Sequence, residues 1–250
     1  MRPRIELLEN QAPRVNRNLK KILLLGDIHA NIVALNIVLE EVGIVDKILC
    51  TGDIVDYNPW PLESIELVKA HNILSVIGNH DRDSVLGTPV GYNPYAEISC
   101  LWTHRQLTSN ACDYLLSLPQ KMEANIDGVK IFICHGSPND LIDEYIYPPP
   151  ITSRETLKGF LEEAKADLVV MGHTHIPFIE SFAEGLVVNP GSVGQPRSGN
   201  PKASYMILTI KDGEMKVDHH LVNYNITAVA QKISEVGLPP FLASRLYNGI

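Results

Sequence analysis

Residues 21–29 read Lys-Ile-Leu-Leu-Leu-Gly-Asp-Ile-His. An apolar run that ends abruptly in glycine, with an acid and a histidine directly behind it, describes a strand buried on both faces whose carboxyl end opens onto a polar loop. The same design returns four times. Residues 47–50 run into Gly52-Asp53, 73–77 into Gly78-Asn79-His80-Asp81, 130–134 into His135-Gly136, and 168–171 into Gly172-His173-Thr174-His175. Between these strands the apolar residues switch to helical spacing. Ile32, Leu35, Val38, Leu39 and Val42 form one stripe, and Leu62, Ile65 and Val68 form another behind Pro61, which suits a first helical position. Thr152 and Glu155 make a capping-box pattern ahead of Leu157, Phe160, Leu161 and Ala164. Strands alternating with helices predict an α/β protein.

Past residue 176 the pattern changes to short strands at 178–182 and 186–188, then a hairpin of 204–210 and 215–222 around Asp212-Gly213. A last helix fits Ile226, Val229, Ala230 and Ile233, with Gly237 as its stop. Residues 82–120 are the least strand-like part, with Gly87, Pro89, Gly91 and Pro94 before a helical segment around Trp102. The expected organisation is an N-terminal extension at 1–20 and one domain at 21–250, with a helical insertion at about 82–120 over a sheet edge.

Composition excludes several classes. Of the 250 residues, 45% are hydrophobic and 20% charged, which is ordinary for a globular protein and unlike a disordered or coiled-coil chain. No apolar run approaches the roughly 20 residues that span a bilayer, and the basic N-terminus lacks the apolar core of an export signal. No membrane association and a cytoplasmic location are expected. The formal net charge of −8 argues against a nucleic-acid surface, because phosphate backbones are held by clustered Lys and Arg. Cys50, Cys100, Cys112 and Cys134 have no C-x-x-C spacing and read as reduced, mostly buried thiols.

In an open α/β sheet, ligands bind outside the carboxyl ends of strands, so the five clusters are expected to meet at one edge. One Asp or His there would ordinarily cap a helix or bond a nearby backbone. Five clusters of Asp, Asn and His together call for a ligand. Carboxylate, amide oxygen and imidazole without thiolate suit a borderline divalent transition metal such as Mn, Fe, Co, Ni or Zn. Asp27, His29, Asp53, Asn79, His135, His173 and His175 are too many donors for one ion. They match two ions sharing one carboxylate at a separation of roughly 3.5 to 4 Å.

The series D-x-H, G-D, G-N-H-D, H-G and G-H-x-H in this order resembles the calcineurin-like metallophosphoesterase superfamily. The likeness spans Asp27 to His175, and the Asn189-Pro190-Gly191-Ser192 loop is similar to that of its small phosphodiesterase branch. It implies a four-layer α/β/β/α sandwich with two mixed sheets and the metal site at the strand carboxyl ends. It also implies one metal on Asp27, His29, Asp53 and His175, a second on Asp53, Asn79, His135 and His173, and Asp53 as the bridge. His80 resembles the family's histidine that gives a proton to the leaving oxygen, with Asp56 as the carboxylate orienting it. The activity implied is hydrolysis of small phosphodiesters or nucleotides by a metal-bridging hydroxide. The alternatives are a catalytically silent metal-binding scaffold that docks a partner protein, and a phosphomonoesterase or protein phosphatase.

The protein phosphatase branch has Arg after the G-D-x-x-D segment and Glu after G-N-H. Here those positions hold Tyr57 and Asp81. Losing that phosphate-clamping Arg weakens the protein-phosphatase alternative and favours small diesters or nucleotides. Arg197, Asn79 and Tyr57 are the expected substrate contacts, with Arg197 taking over from the missing Arg. Tyr92, Tyr95 and Trp102 are read as core beneath the insertion or as a stacking surface for a base. His71, His104, His219 and His220 need no ligand role, and the sequence leaves the oligomeric state open.

Overall fold

The computed structural model describes residues 19–250. Two five-stranded mixed sheets lie face to face. The first runs in the order β10-β9-β1-β2-β3, from β1 (Leu19–Leu25), β2 (Lys47–Cys50), β3 (Leu74–Ser75), β9 (Ala203–Lys211) and β10 (Glu214–Val222). The second is ordered β4-β5-β6-β8-β7, from β4 (Lys121–Ile126), β5 (Val129–Cys134), β6 (Leu168–Val170), β7 (Phe178–Ser181) and β8 (Leu186–Asn189). In each sheet the three strands nearest the site run parallel and the others antiparallel.

The two-residue period of β1 decides which layer each side chain enters. Ile22 and Leu24 point between the sheets, where they meet Leu49, Val76, Ile131, Ile133, Val170 and Leu208. Leu23 and Leu25 point outward against helices. That outer layer is α1 (Ile32–Val42), α2 (Pro61–Ala70), α3 (Asn79–Leu86), α4 (Pro94–Gln106), α5 (Ser109–Ser117), α7 (Ile226–Glu235) and α8 (Pro240–Leu246). Leu35, Val38, Ile65, Val68, Leu115, Val229, Ile233, Leu242 and Leu246 form its core. On the far side α6 (Arg154–Ala164) sets Leu157, Phe160 and Leu161 against Phe132, Val169 and Val187. The result is the four-layer α/β/β/α sandwich.

Several local expectations shift. The strand at 73–77 keeps ladder pairing only at Leu74–Ser75, because the Ile73 N–H donates to Val68 O at the end of α2 and the Ile77 N–H to Pro119 O (both 2.9 Å). The cap of α6 is Ser153 rather than Thr152: Ser153 Oγ accepts the Thr156 N–H, while Thr152 Oγ1 accepts from Tyr147 N. β4 and α8 were not expected. Of the extension expected at 1–20, Leu19 and Lys20 belong to β1, paired with Lys211 and Ile210, and the rest lies outside the described residues. No helix among the described residues is long and apolar enough to cross a membrane.

Candidate metal centre

All five clusters reach one edge of the sandwich. The loops after β1 and β2 and the start of α3 bring Asp27, His29, Asp53, Asn79 and His80. The loops after β5 and β6 bring His135, His173 and His175 from the other sheet. Donor atoms of Asp27, His29, Asp53 and His175 lie within 4.8 Å of one another, and so do those of Asp53, His135 and His173. Asp53 belongs to both groups. Its Oδ2 is 3.5 Å from His29 Nε2 and 3.2 Å from His135 Nε2. Asn79 Oδ1 sits 3.0 Å from His135 Nε2.

Each carboxylate braces a loop with one oxygen and leaves the other bare. Asp27 Oδ1 accepts the His173 N–H (3.0 Å) and Asp53 Oδ1 the His80 N–H (2.9 Å). Asp27 Oδ2, Asp53 Oδ2 and His173 Nε2 are buried without a hydrogen-bond partner. Such orphans are rare unless a ligand completes them.

The histidine tautomers follow from their neighbours. Nδ1 of His29, His135 and His175 faces the main-chain oxygen of Val55 (3.1 Å), Thr51 (2.8 Å) and Gln195 (2.6 Å), and a carbonyl only accepts, so each Nδ1 carries the hydrogen. In the neutral ring each Nε2 therefore presents its lone pair inward. His29 Nε2 and His175 Nε2 stand 3.0 Å apart, and His135 Nε2 stands 3.1 Å from His173 Nδ1. Lone pairs at these separations repel unless a cation lies among them. Orientation of a ligand imidazole through its other nitrogen is the usual outer-shell device of metal sites. The donor set therefore fits a metal ion.

Electrostatics agree. Burial pushes His29 and His175 well below their usual range and His173 down to about 2, leaving neutral rings of the kind that ligate. Burial raises Asp27 to about 7. It also opposes charge on Asp53, yet His135 and His80 hold that carboxyl well below its ordinary value. Against burial, Asp53 pulls His135 up to about 9, so a proton collects where a cation belongs.

His80 lies beside the ligands and points its Nδ1 at Asp56 Oδ2, 2.6 Å away. Asp56 Oδ1 is held by the Tyr57 N–H (2.6 Å), Ser99 Oγ (2.5 Å) and Thr103 Oγ1 (3.3 Å). Burial disfavours the His80 cation, but Asp53 and Asp56 outweigh it and raise its pKa. Asn79 is oriented by a relay in which its Nδ2 donates to Tyr92 Oη (2.6 Å) and Tyr92 donates to Asp83 Oδ2 (3.0 Å). Asp81 accepts from the backbone N–H of Ile54, Val55 and Gly78, stitching the Asp53 loop to α3.

Of the expected substrate contacts, Tyr57 and Arg197 share one wall, while Asn79 sits with His135 and Tyr92. Tyr57 is buried, its ring 4.6 Å from that of His29 and 4.5 Å from that of His80. Arg197 is half-buried and its Nη2 lies 3.4 Å from Tyr57 Oη. Of the three aromatics, Trp102 packs into the helical core, Tyr95 stacks on Phe241 and Tyr92 reaches the site. The sequence reading missed Tyr145, whose half-exposed ring lies 3.7 Å from that of His173. It also missed Ser99 and Thr103, since polar residues on the inner face of a helix have no sequence signature.

Residues 21–213 match the family model for the calcineurin-like phosphoesterase superfamily domain. An uncharacterized protein of Methanocaldococcus jannaschii is 38% identical over 248 residues, covering 91% of this chain and 98% of its own. The crystal structure of a metallophosphoesterase from Sphaerobacter thermophilus superposes with a TM-score of 0.79 at 37% identity, covering 93% of this chain and all of that one. The phosphodiesterase YfcE of Escherichia coli is 26% identical over 201 residues, 75% of this chain and 86% of YfcE.

Proposed function

This chain belongs to the calcineurin-like phosphoesterase superfamily, and on that premise we propose that it hydrolyses small phosphodiesters or nucleotides with two divalent transition-metal ions. The observation that carries the reading is Asp53 Oδ2, an orphaned oxygen that stands between His29 of one ligand group and His135 of the other. Asp27, His29, Asp53 and His175 would hold one ion; Asp53, Asn79, His135 and His173 would hold the second. Drawn from Mn, Fe, Co, Ni or Zn, such ions supply an activated water and neutralise charge on the phosphoryl group when bound.

The protein's part is proton delivery and positioning. His80 bears the proton for the leaving oxygen, with Asp56 favouring its charged form and Ser99 and Thr103 fixing Asp56. Asn79 presents its amide oxygen inward because Tyr92 occupies its amide nitrogen. Tyr57 fills the place of a clamping Arg with a neutral ring. A diester needs one negative charge balanced and two arms accommodated. Tyr145, exposed over His173, offers a flat surface to one arm. The diesterase name of YfcE agrees with this preference.

The test is a turnover screen of matched aryl diesters and monoesters, each with Mn, Co, Ni, Zn and Mg. The expected result is a higher kcat/KM for the diester. A tenfold preference for the monoester, about 1.4 kcal/mol of transition-state binding, would reverse the assignment. Failure of every ester with every metal would favour a non-catalytic scaffold.

A further inference from the structure

The C-terminal helix α8 brings a second guanidinium to the wall beside the ligands. Arg245 Cζ lies 5.9 Å from the centroid of the Tyr57 ring, and Arg197 Cζ, from the loop between β8 and β9, lies 5.8 Å from it. Two cations thus share one ring that is itself packed on His29 and His80.

Neither cation is neutralised by a side chain. Arg197 donates through Nε and Nη2 to Gln195 Oε1 (3.3 and 3.0 Å) and approaches Tyr57 Oη. Arg245 donates through Nε to a main-chain oxygen of Ile250, the last residue of the sequence (2.5 Å), and meets no side-chain carboxylate. Among the described residues no Asp or Glu forms an ion pair with either. Arg82 and Arg154 behave differently: Arg82 is held by Asp83 and Asp143, and Arg154 by Glu180.

Placing two guanidinium groups together in a half-buried wall costs Coulomb energy and hydration. The strain registers on Arg245, which burial and the Arg197 charge draw down to about 10. A cation–π contact contributes roughly 0.5 to 2 kcal/mol and removes no charge. The planar forks suit an oxyanion with several acceptor oxygens. The scissile phosphoryl group belongs at the ligand cluster, and both arginines flank the Tyr57 ring that packs on His29 and His80.

We propose that Arg197 and Arg245 form a subsite for a second phosphate of the substrate, so that the preferred ester carries another phosphate on the arm that passes Tyr57. The assignment rests on the hydrolase reading above for its location, and its test separates the two.

The measurement is calorimetric binding to the metal-loaded full chain of thymidine 5′-monophosphate against thymidine 3′,5′-bisphosphate. The wild-type protein is expected to bind the bisphosphate roughly tenfold more tightly. R245Q should erase most of that margin and R245K keep part of it, because lysine preserves the charge and loses the fork. R197Q, in a loop rather than a helix, should also erase it and guards against an effect of fraying α8. A wild-type protein without the margin, a margin that survives in R245Q, or equal loss of both ligands would overturn the subsite. Turnover of the p-nitrophenyl esters of the same two nucleotides completes the separation. A binding margin with no turnover under any metal would refute the hydrolase reading and leave the subsite standing. Turnover of both esters without a margin would refute the subsite alone.

Discussion

The two ends of the sandwich use left-handed backbone for opposite purposes. At the far end, the β4–β5 and β9–β10 hairpins turn at Asp127-Gly128 (φ 49° and 89°) and Asp212-Gly213 (φ 52° and 82°). Both central residues are left-handed, as a tight hairpin requires, and all four are exposed. At the site end Asp27, His29, Ala30, Asp53, Asp56, Tyr57, His173 and His175 also have positive φ, and every one is buried. A non-glycine residue in this region costs on the order of 1 kcal/mol or more. Eight of them represent a sum comparable to the ~5–15 kcal/mol net stability of a whole domain. Each hairpin gives one of its two left-handed positions to glycine and the other to an exposed aspartate. The site keeps its functional side chains in strained positions and offsets the cost with hydrogen bonds, such as His29 N to Asp53 O (2.8 Å), Ala30 N to Ile54 O (2.8 Å) and the Asp81 brace.

This contrast yields graded expectations, and the site end should always be hit harder. The largest effect is expected for Asp53→Asn, which removes charge from the oxygen shared by both ligand groups. Elemental analysis should find less metal in it than in His29→Ala, and full metal content in the Asp53 variant would break the bridging assignment. His80→Ala should keep its metal and its fold while kcat falls roughly 10²- to 10⁴-fold, the contribution of a positioned proton donor. Wild-type turnover would remove His80 from the chemistry.

Gly78→Ala should come next. A Cβ there would overlap Asp53 Oδ1 and crowd the Asp53 main-chain nitrogen. Because that neighbour is backbone, we expect a loss above about 2 kcal/mol in denaturant unfolding. Ser99→Ala removes one of the bonds to Asp56 and should lower kcat by about tenfold, with a broadened His80 resonance in NMR as the sign of a looser imidazole. Gly213→Ala, whose Cβ would meet open space at φ 82°, should cost only about 1 kcal/mol, a few degrees of melting temperature with unchanged activity. If Gly213→Ala proved as damaging as Gly78→Ala, the two ends would not differ as argued.

The same contrast explains how much of the fold and site is legible in the sequence alone. The β1, β2, β5 and β6 runs were legible because a strand buried on both faces is apolar without interruption, so the point where polarity resumes marks the carboxyl end. Asp27, His29, Asp53, His135, His173 and His175 lie just past those points and Asn79 just past the run at 73–77, and the structure gathers them. Ser99, Thr103 and Arg245 lie on α4 and α8, where a single polar residue facing inward looks like any other residue on a helix. Tyr145 belongs to the irregular segment after β5, which has no period to follow. β4 was overlooked although Asp127-Gly128 has the same turn signal as Asp212-Gly213, because Lys121, Glu123 and Asn125 give it a polar outer face and a weak apolar run.

The candidate ligands at the site edge come from both sheets: Asp27, His29, Asp53 and Asn79 precede the β4–β5 hairpin in the chain, and His135, His173 and His175 follow it. The interior between the sheets is otherwise dominated by aliphatic packing, which slides without directional penalty. An occupied centre is therefore a rivet through two plates, fixing their shear and joining residue 27 to residue 175 across most of the domain. Loading and global unfolding then become one linked equilibrium, in which each tenfold rise of free metal above its dissociation constant adds about 1.4 kcal/mol per site to stability. Chelation should lower the melting temperature of the entire sandwich, far hairpins included, rather than loosen the site edge alone.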